Sequence, residues 1–210
     1  MDKKTLIIII VAVFVISEII RTFCKNTITN KLTRLLIKGE FEQFDQMLEK
    51  WYTRYFVAPF NLEYIRMNSY LARGDEQKID EIFDRFEHSR LNKAQKTAVY
   101  GNAFYYYLSQ EDTQKAKKYY QILKDNDDAK LDMTMMDRLY DIYIENGYQY
   151  LEETLEQYQT AKENEKPQLE GMLAKMYENK GDKKNAKVYE EKLQKYAEEL
   201  QKKLQEQKGK

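Results

Sequence analysis

Few side chains in this sequence are placed to do chemistry. His88 is the single histidine and Cys24 the single cysteine. A lone imidazole on a charge-rich helix suits a surface or interhelix hydrogen bond better than a metal or a proton relay. A lone thiol makes no intrachain disulfide and no cysteine-rich zinc site. At the edge of an apolar run it reads as an ordinary buried thiol, with lipidation as the alternative. Asp125-x-Asp127 opens like a calcium loop, but Ala129 and Lys130 stand where a ligand and the required glycine belong. It reads instead as a solvated loop capping the next helix. No glycine-rich phosphate loop and no Gly-x-Ser-x-Gly elbow occurs. The expectation is a chain that is not an enzyme and takes no metal or cofactor. Tyrosine is the outlier, with 18 copies. Tyr105, Tyr106 and Tyr107 are consecutive, so on a helix they cannot all face one core. At least one is expected on a groove or in solvent, where tyrosine is a frequent binding anchor.

The elements that must position these residues are helical. Seven glycines and two prolines are too few for a turn-rich all-β chain. Lys, Glu, Gln, Leu and Ala abound, and all are good helix formers. Thirty-five basic residues balance 35 acidic ones, which leaves no overall footprint for nucleic acid.

Leu6–Ile16 is an uninterrupted apolar run that resumes at Ile19-Ile20. No soluble helix surface calls for such a run, so lipid is its natural solvent. Thr5–Cys24 reaches the roughly 20 residues a span needs by including Glu18 and Arg21. Those two share a helix face at i,i+3 and can pair near the interface. The run reads as a single-pass cell-membrane anchor. The alternative is a cleaved signal peptide, for which the basic start also fits, although no Ala-x-Ala site follows. Lys3 and Lys4 precede the run; Arg21, Lys25, Lys31, Arg34 and Lys38 follow it, and both orientations stay open.

From Asn26 apolar stripes recur at helical spacing. Leu32, Leu35 and Leu36 precede Gly39, which ends a helix. Phe41, Phe44, Leu48, Trp51 and Tyr52 form the next stripe. Pro59 and Pro167 suit first turns of helices. Asn92 with Gln95 resembles a capping pair. Leu35, Tyr70, Tyr143 and Tyr177 each stand four residues before a glycine, at Gly39, Gly74, Gly147 and Gly181. A beat near 35 residues marks stacked helical hairpins. The predicted fold is all-α, a solenoid of about five antiparallel hairpins preceded by one transmembrane helix. Leu193, Ala197, Leu200 and Leu204 extend the last helix as a capping helix, with a coiled-coil or docking helix as the alternative.

Leu173-Ala174-x-x-Tyr177-x-x-x-Gly181-Asp182-x-x-x-Ala186 resembles the tetratricopeptide repeat, and Leu139-Tyr140-x-x-Tyr143-x-x-x-Gly147 is similar to it. Bulky Phe44 and Ile79 stand where that family prefers a small residue, and the proline that closes its units is absent. The resemblance divides the chain into a transmembrane anchor over 1–25, a repeat domain over 26–182, and a last helix with a charged extension over 183–210. It implies a concave groove lined by the first helix of each hairpin. Tyr64, Asn68, Asn102, Tyr105, Tyr106, Asp137 and Asp141 fall on that line. The implied function is a membrane-anchored interaction module or scaffold that binds a protein or peptide segment. The alternative is a structural or homo-oligomeric spacer acting through the charged C-terminal helix.

Overall fold

The computed structural model describes residues 3–126 and 131–208, with the side chains of 14–126, 131–203 and 205. Among the described residues the chain is all-α, with eleven helices and no strand. It divides into two compact units, Met1–Arg90 and Leu91–Lys210. The first holds α1 (Lys3–Ile37), α2 (Phe41–Leu48), α3 (Trp51–Phe56), α4 (Pro59–Arg73) and α5 (Glu76–Glu87). The second holds α6 (Lys93–Ser109), α7 (Thr113–Lys124), α8 (Thr134–Tyr143), α9 (Leu151–Thr160), α10 (Lys166–Asn179) and α11 (Lys183–Lys208).

One turn recurs four times. The N–H groups of Glu40, Asp75, Asp112 and Asp182 donate to the carbonyls of Leu35, Tyr70, Tyr107 and Tyr177 at 2.9, 3.2, 3.0 and 2.9 Å. The residue before each donor is left-handed: Gly39, Gly74, Glu111 and Gly181 have φ of +70, +66, +57 and +81°. Such a turn closes the open carbonyls of one helix. Asp75, Asp112 and Asp182 then cap the next helix, accepting from the N–H groups of Lys78, Lys115 and Asn185 at 3.3, 3.0 and 3.1 Å. The beat read at Tyr143–Gly147 has a different geometry. There Asn146 is the left-handed residue, at φ 55°. Gly147 is required by closeness instead, since a Cβ on it would lie 2.2 Å from Asp141 Oδ2.

In the first unit α1 runs unbroken for 35 residues, so the apolar run and the first core helix form one rod. No glycine or proline interrupts it before Gly39. Its later half buries Ile28, Leu32 and Leu35 against Phe44, Met47, Leu48 and Val57. The stripe expected over Phe41–Tyr52 is two helices, not one. Lys50 is extended, at φ −65° and ψ 136°, and starts α3 in a new register. Trp51, expected on the core stripe, is therefore 74% exposed. Pro59 opens α4 as expected. Among the described residues no helix is long and apolar enough to cross a membrane. The first 13 residues of the expected anchor, Leu6–Val13 of its apolar run among them, lie outside the residues with described side chains.

The second unit begins with a capping box, Asn92 and Gln95 bonding each other's backbone N–H. Val99, Phe104 and Tyr107 of α6 are buried with Ala116, Tyr119 and Leu123 of α7. Asn126, at the end of α7, donates to the carbonyl of Lys93 at 2.9 Å. The calcium-loop comparison at Asp127–Lys130 lies outside the described residues. Ile142, Leu151, Met172, Leu173 and Met176 form the core joining α8, α9 and α10. Arg138 of α8 is 3% exposed and donates to Gln157 and Glu153 of α9 at 2.8 and 2.5 Å.

Candidate functional site

In the second unit α8 comes close to both α6 and α10. Two glycines lie at these approaches, each with ordinary room for a Cβ. A Cβ on Gly101 would stand 3.4 Å from Met136 Cε, and one on Gly171 would stand 3.9 Å from the Tyr143 hydroxyl. Asn179 ties α10 to α8 and the loop after it, donating to the carbonyls of Ile142 at 2.8 Å and Gly147 at 2.9 Å. Leu108, Glu111, Thr113, Tyr143, Lys175 and Glu178 then line a cleft of ≈ 420 Å³. Leu108 and the Tyr143 ring supply its apolar part. Burial pushes the Tyr143 hydroxyl above the usual phenol range, so it is a neutral donor at pH 7. Glu111 and Glu178 face one lysine, Lys175, which pairs with Glu178 at 2.8 Å.

The seven residues expected on a groove fall in both units. Tyr64 and Asn68 lie on α4 in the first, both half-buried, with Tyr64 stacked on Phe60 at 5.8 Å. In the second unit Asn102 and Tyr105 share one strip of α6 with Leu108 at i, i+3 and i+6, leading to the cleft. The Asn102 amide turns back to the Ala98 carbonyl at 2.7 Å. Tyr105 is 43% exposed; Tyr106 is half-buried, edge-on to Tyr107 at 5.1 Å. Tyr107 is buried, so the three rings separate as helix geometry requires.

The two aspartates are engaged inside the unit. Asp137 accepts from the Tyr120 hydroxyl at 2.6 Å and meets Lys124 at 3.6 Å, which holds α8 on α7. Asp141 accepts from Gln149 at 2.9 Å, and its carbonyl accepts from Gly147 N–H at 2.8 Å. Burial pushes the Asp141 carboxyl above the usual carboxylate range, against the Gln149 hydrogen bond. Asp137 thus ties α8 to α7 and Asp141 Oδ1 ties α8 to the loop after it, while Asp141 Oδ2 is buried without a hydrogen-bond partner.

No protein-family model, no curated protein and no solved structure matches the chain.

Sequence reasoning did not single out Leu108, Lys175 or Glu178, and read Tyr143 as part of the glycine beat. A signal for Leu108 was present three residues after Tyr105. Lys175 and Glu178 flank Tyr177 on α10, and no spacing in the sequence sets them apart from its other charged residues. A second cavity, of ≈ 290 Å³, lies between α9, α10 and α11 beside Tyr158 and Lys192. In it Tyr158 donates to Glu170 at 2.7 Å and accepts from Lys192 at 3.2 Å, and Lys166 pairs with Glu163. The cleft differs. An apolar floor with charges at its rim suits an inserted side chain flanked by polar backbone.

Proposed function

We propose that this chain is a membrane-anchored, tetratricopeptide-like α-solenoid that holds a protein segment in the cleft between α6, α8 and α10. The observation that carries the binding role is the pairing of the exposed Tyr105 with the Leu108–Tyr143 cleft on the same helix strip. Four turns of one form, each joining two packed helices, support the repeat reading. The apolar run Leu6–Ile20 and the exposed Phe14, Ile16 and Ile19 support the anchor. The excess of Glu111 and Glu178 over Lys175 favours a segment with a basic side chain next to an apolar one.

The test is site-specific photo-crosslinking in native membranes. A photoreactive side chain at Leu108 should give a discrete adduct, and one at Glu152 on α9 should not. Equal adducts at both positions would remove the cleft from consideration. Alkaline washing tests the anchor: the full chain should stay with the membrane, and deletion of residues 1–24 should release it. That deletion spares the core, which begins at Ile28.

A second reading has its own observation. Tyr196 and Leu200 are 42% and 46% exposed at i,i+4 on the far part of α11. An uncovered stripe on a charged helix suits self-association. Sedimentation of the chain with Leu200→Glu against the unaltered chain decides it: an unchanged oligomeric state leaves the binding module.

A further inference from the structure

We propose that α3 is an interfacial foot, which seats the first unit on the headgroup layer of an anionic phospholipid bilayer beside the end of the membrane-crossing part of α1. The inference rests on the anchor reading above and adds to it a second contact with lipid.

Four of the six residues of α3 are aromatic. Tyr52 and Phe56 pack on the core of the first unit, whereas Trp51 and Tyr55 are 74% and 69% exposed. Their exposure is built into the backbone. Lys50 breaks the preceding helix, and the buried Thr53 hydroxyl donates to the Met47 carbonyl at 2.8 Å to hold the break. An all-helical register would have kept Trp51 on the core stripe; the chain turns it out.

The place it turns to is specific. Tyr55 and Phe56 line a cleft of ≈ 430 Å³ with Ser17, Glu18, Ile20 and Arg21 of α1. These residues end the apolar run, and Ile16, Ile19 and Phe23 around them are 56, 63 and 71% exposed. If a span ends at Cys24, Arg21 and Glu18 lie about 4.5 and 9 Å inside it along the helix axis. That is the depth of the headgroup–acyl boundary, where Trp and Tyr rings concentrate. Glu18 and Arg21 meet at 3.8 Å, so each charge has a partner at that depth.

Charge complementarity names the lipid. From Ile19 to Lys38 the chain carries Arg21, Lys25, Lys31 and Arg34 on α1 and Lys38 just after it, and no acidic residue. Lys25 lies at the exit of the span and Lys31 about 9 Å beyond it, within roughly a Debye length of the surface. A cationic collar above an aromatic foot fits anionic headgroups.

Trp51 is the single tryptophan, so its fluorescence reports this contact directly. The full chain is reconstituted in phosphatidylcholine vesicles with and without phosphatidylglycerol, carrying quencher-labelled lipid either near the headgroup or near the chain end. Shallow label should quench Trp51 about twofold more than deep label, and more strongly in the anionic vesicles. A second probe, Phe14→Trp combined with Trp51→Phe, should be quenched by deep label. If that probe is untouched by lipid label, the anchor reading fails and the foot with it. If it is quenched while Trp51 answers to aqueous iodide and to neither lipid label, the anchor stands and the foot is overturned. Equal shallow quenching in neutral and anionic vesicles overturns the assignment of anionic lipid.

Discussion

The N–H of Asp112 donates to the carbonyl of Tyr107 at 3.0 Å across a turn whose left-handed residue is Glu111. The same bond joins Asp75 to Tyr70 and Asp182 to Tyr177, where a glycine takes the left-handed place. With the Gly39-Glu40 turn, one backbone turn is thus built twice from glycine–aspartate, once from glycine–glutamate and once from glutamate–aspartate. The difference is energetic, because a Cβ in the left-handed region crowds the following carbonyl.

Glu111→Gly should therefore raise stability, by about 1 kcal/mol. Gly181→Ala should lower it by a similar amount, since no atom lies within 4 Å of the added Cβ and the cost is conformational alone. Urea denaturation at unchanged slope measures both. If Glu111→Gly destabilises, the turn is not held as described.

Gly147 is constrained by contact instead. Gly147→Ala should cost about 1–3 kcal/mol, because its Cβ meets the Asp141 carboxylate. In an Asp141→Ala background the cost should shrink, giving a coupling of about 1 kcal/mol in a double-mutant cycle. Additive costs would place the strain elsewhere.

Tyr105 and Tyr177 should separate binding from stability. Tyr105→Ala should weaken capture of the bound segment by about 1–3 kcal/mol at an unchanged melting temperature. Tyr177 is stacked on Tyr189 at 5.8 Å beside the core of the second unit. Tyr177→Ala should lower stability by about 1–3 kcal/mol. A Tyr105 variant that captures fully moves the binding surface off this strip.

High pH should unfold the second unit by way of two phenols. Burial, then a hydrogen bond to Glu170, pushes Tyr158 up to about 12. Burial, then Asp137, pushes Tyr120 up as well. Both are raised above the ordinary value of about 10, so their protonated forms favour the fold. Their contribution is intact below about pH 10 and is lost as pH rises through the folded-state values. Melting temperatures between pH 9 and 12 should fall less steeply with Tyr120→Phe and Tyr158→Phe together. An unchanged slope would exclude these two groups as its source.

The sequence by itself determined the all-α class and several helix ends, because periodicity, caps and turn residues act within a few positions of the chain. Gly39, Gly74 and Gly181 end helices, Pro59 and Pro167 sit in first turns, and Asn92 with Gln95 forms its box. Helix geometry also required the Tyr105–Tyr107 rings to part company. Packing decided which ring goes inside: Tyr107 stacks on Tyr119 at 5.5 Å, and Tyr105 is left out. The break at Lys50 that exposes Trp51 depends on a hydroxyl six residues from its acceptor, outside any helical period. Asp137 and Asp141 look like free groove carboxylates along one helix. Tyr120 from α7 and Gln149 from the loop after α8 claim them once the chain is folded. Lys175, Glu178, Leu108 and Tyr143 become one cleft for the same reason. Residues of three helices distant in sequence line it together, with Asn179 tying α10 to α8, and no local pattern records that meeting.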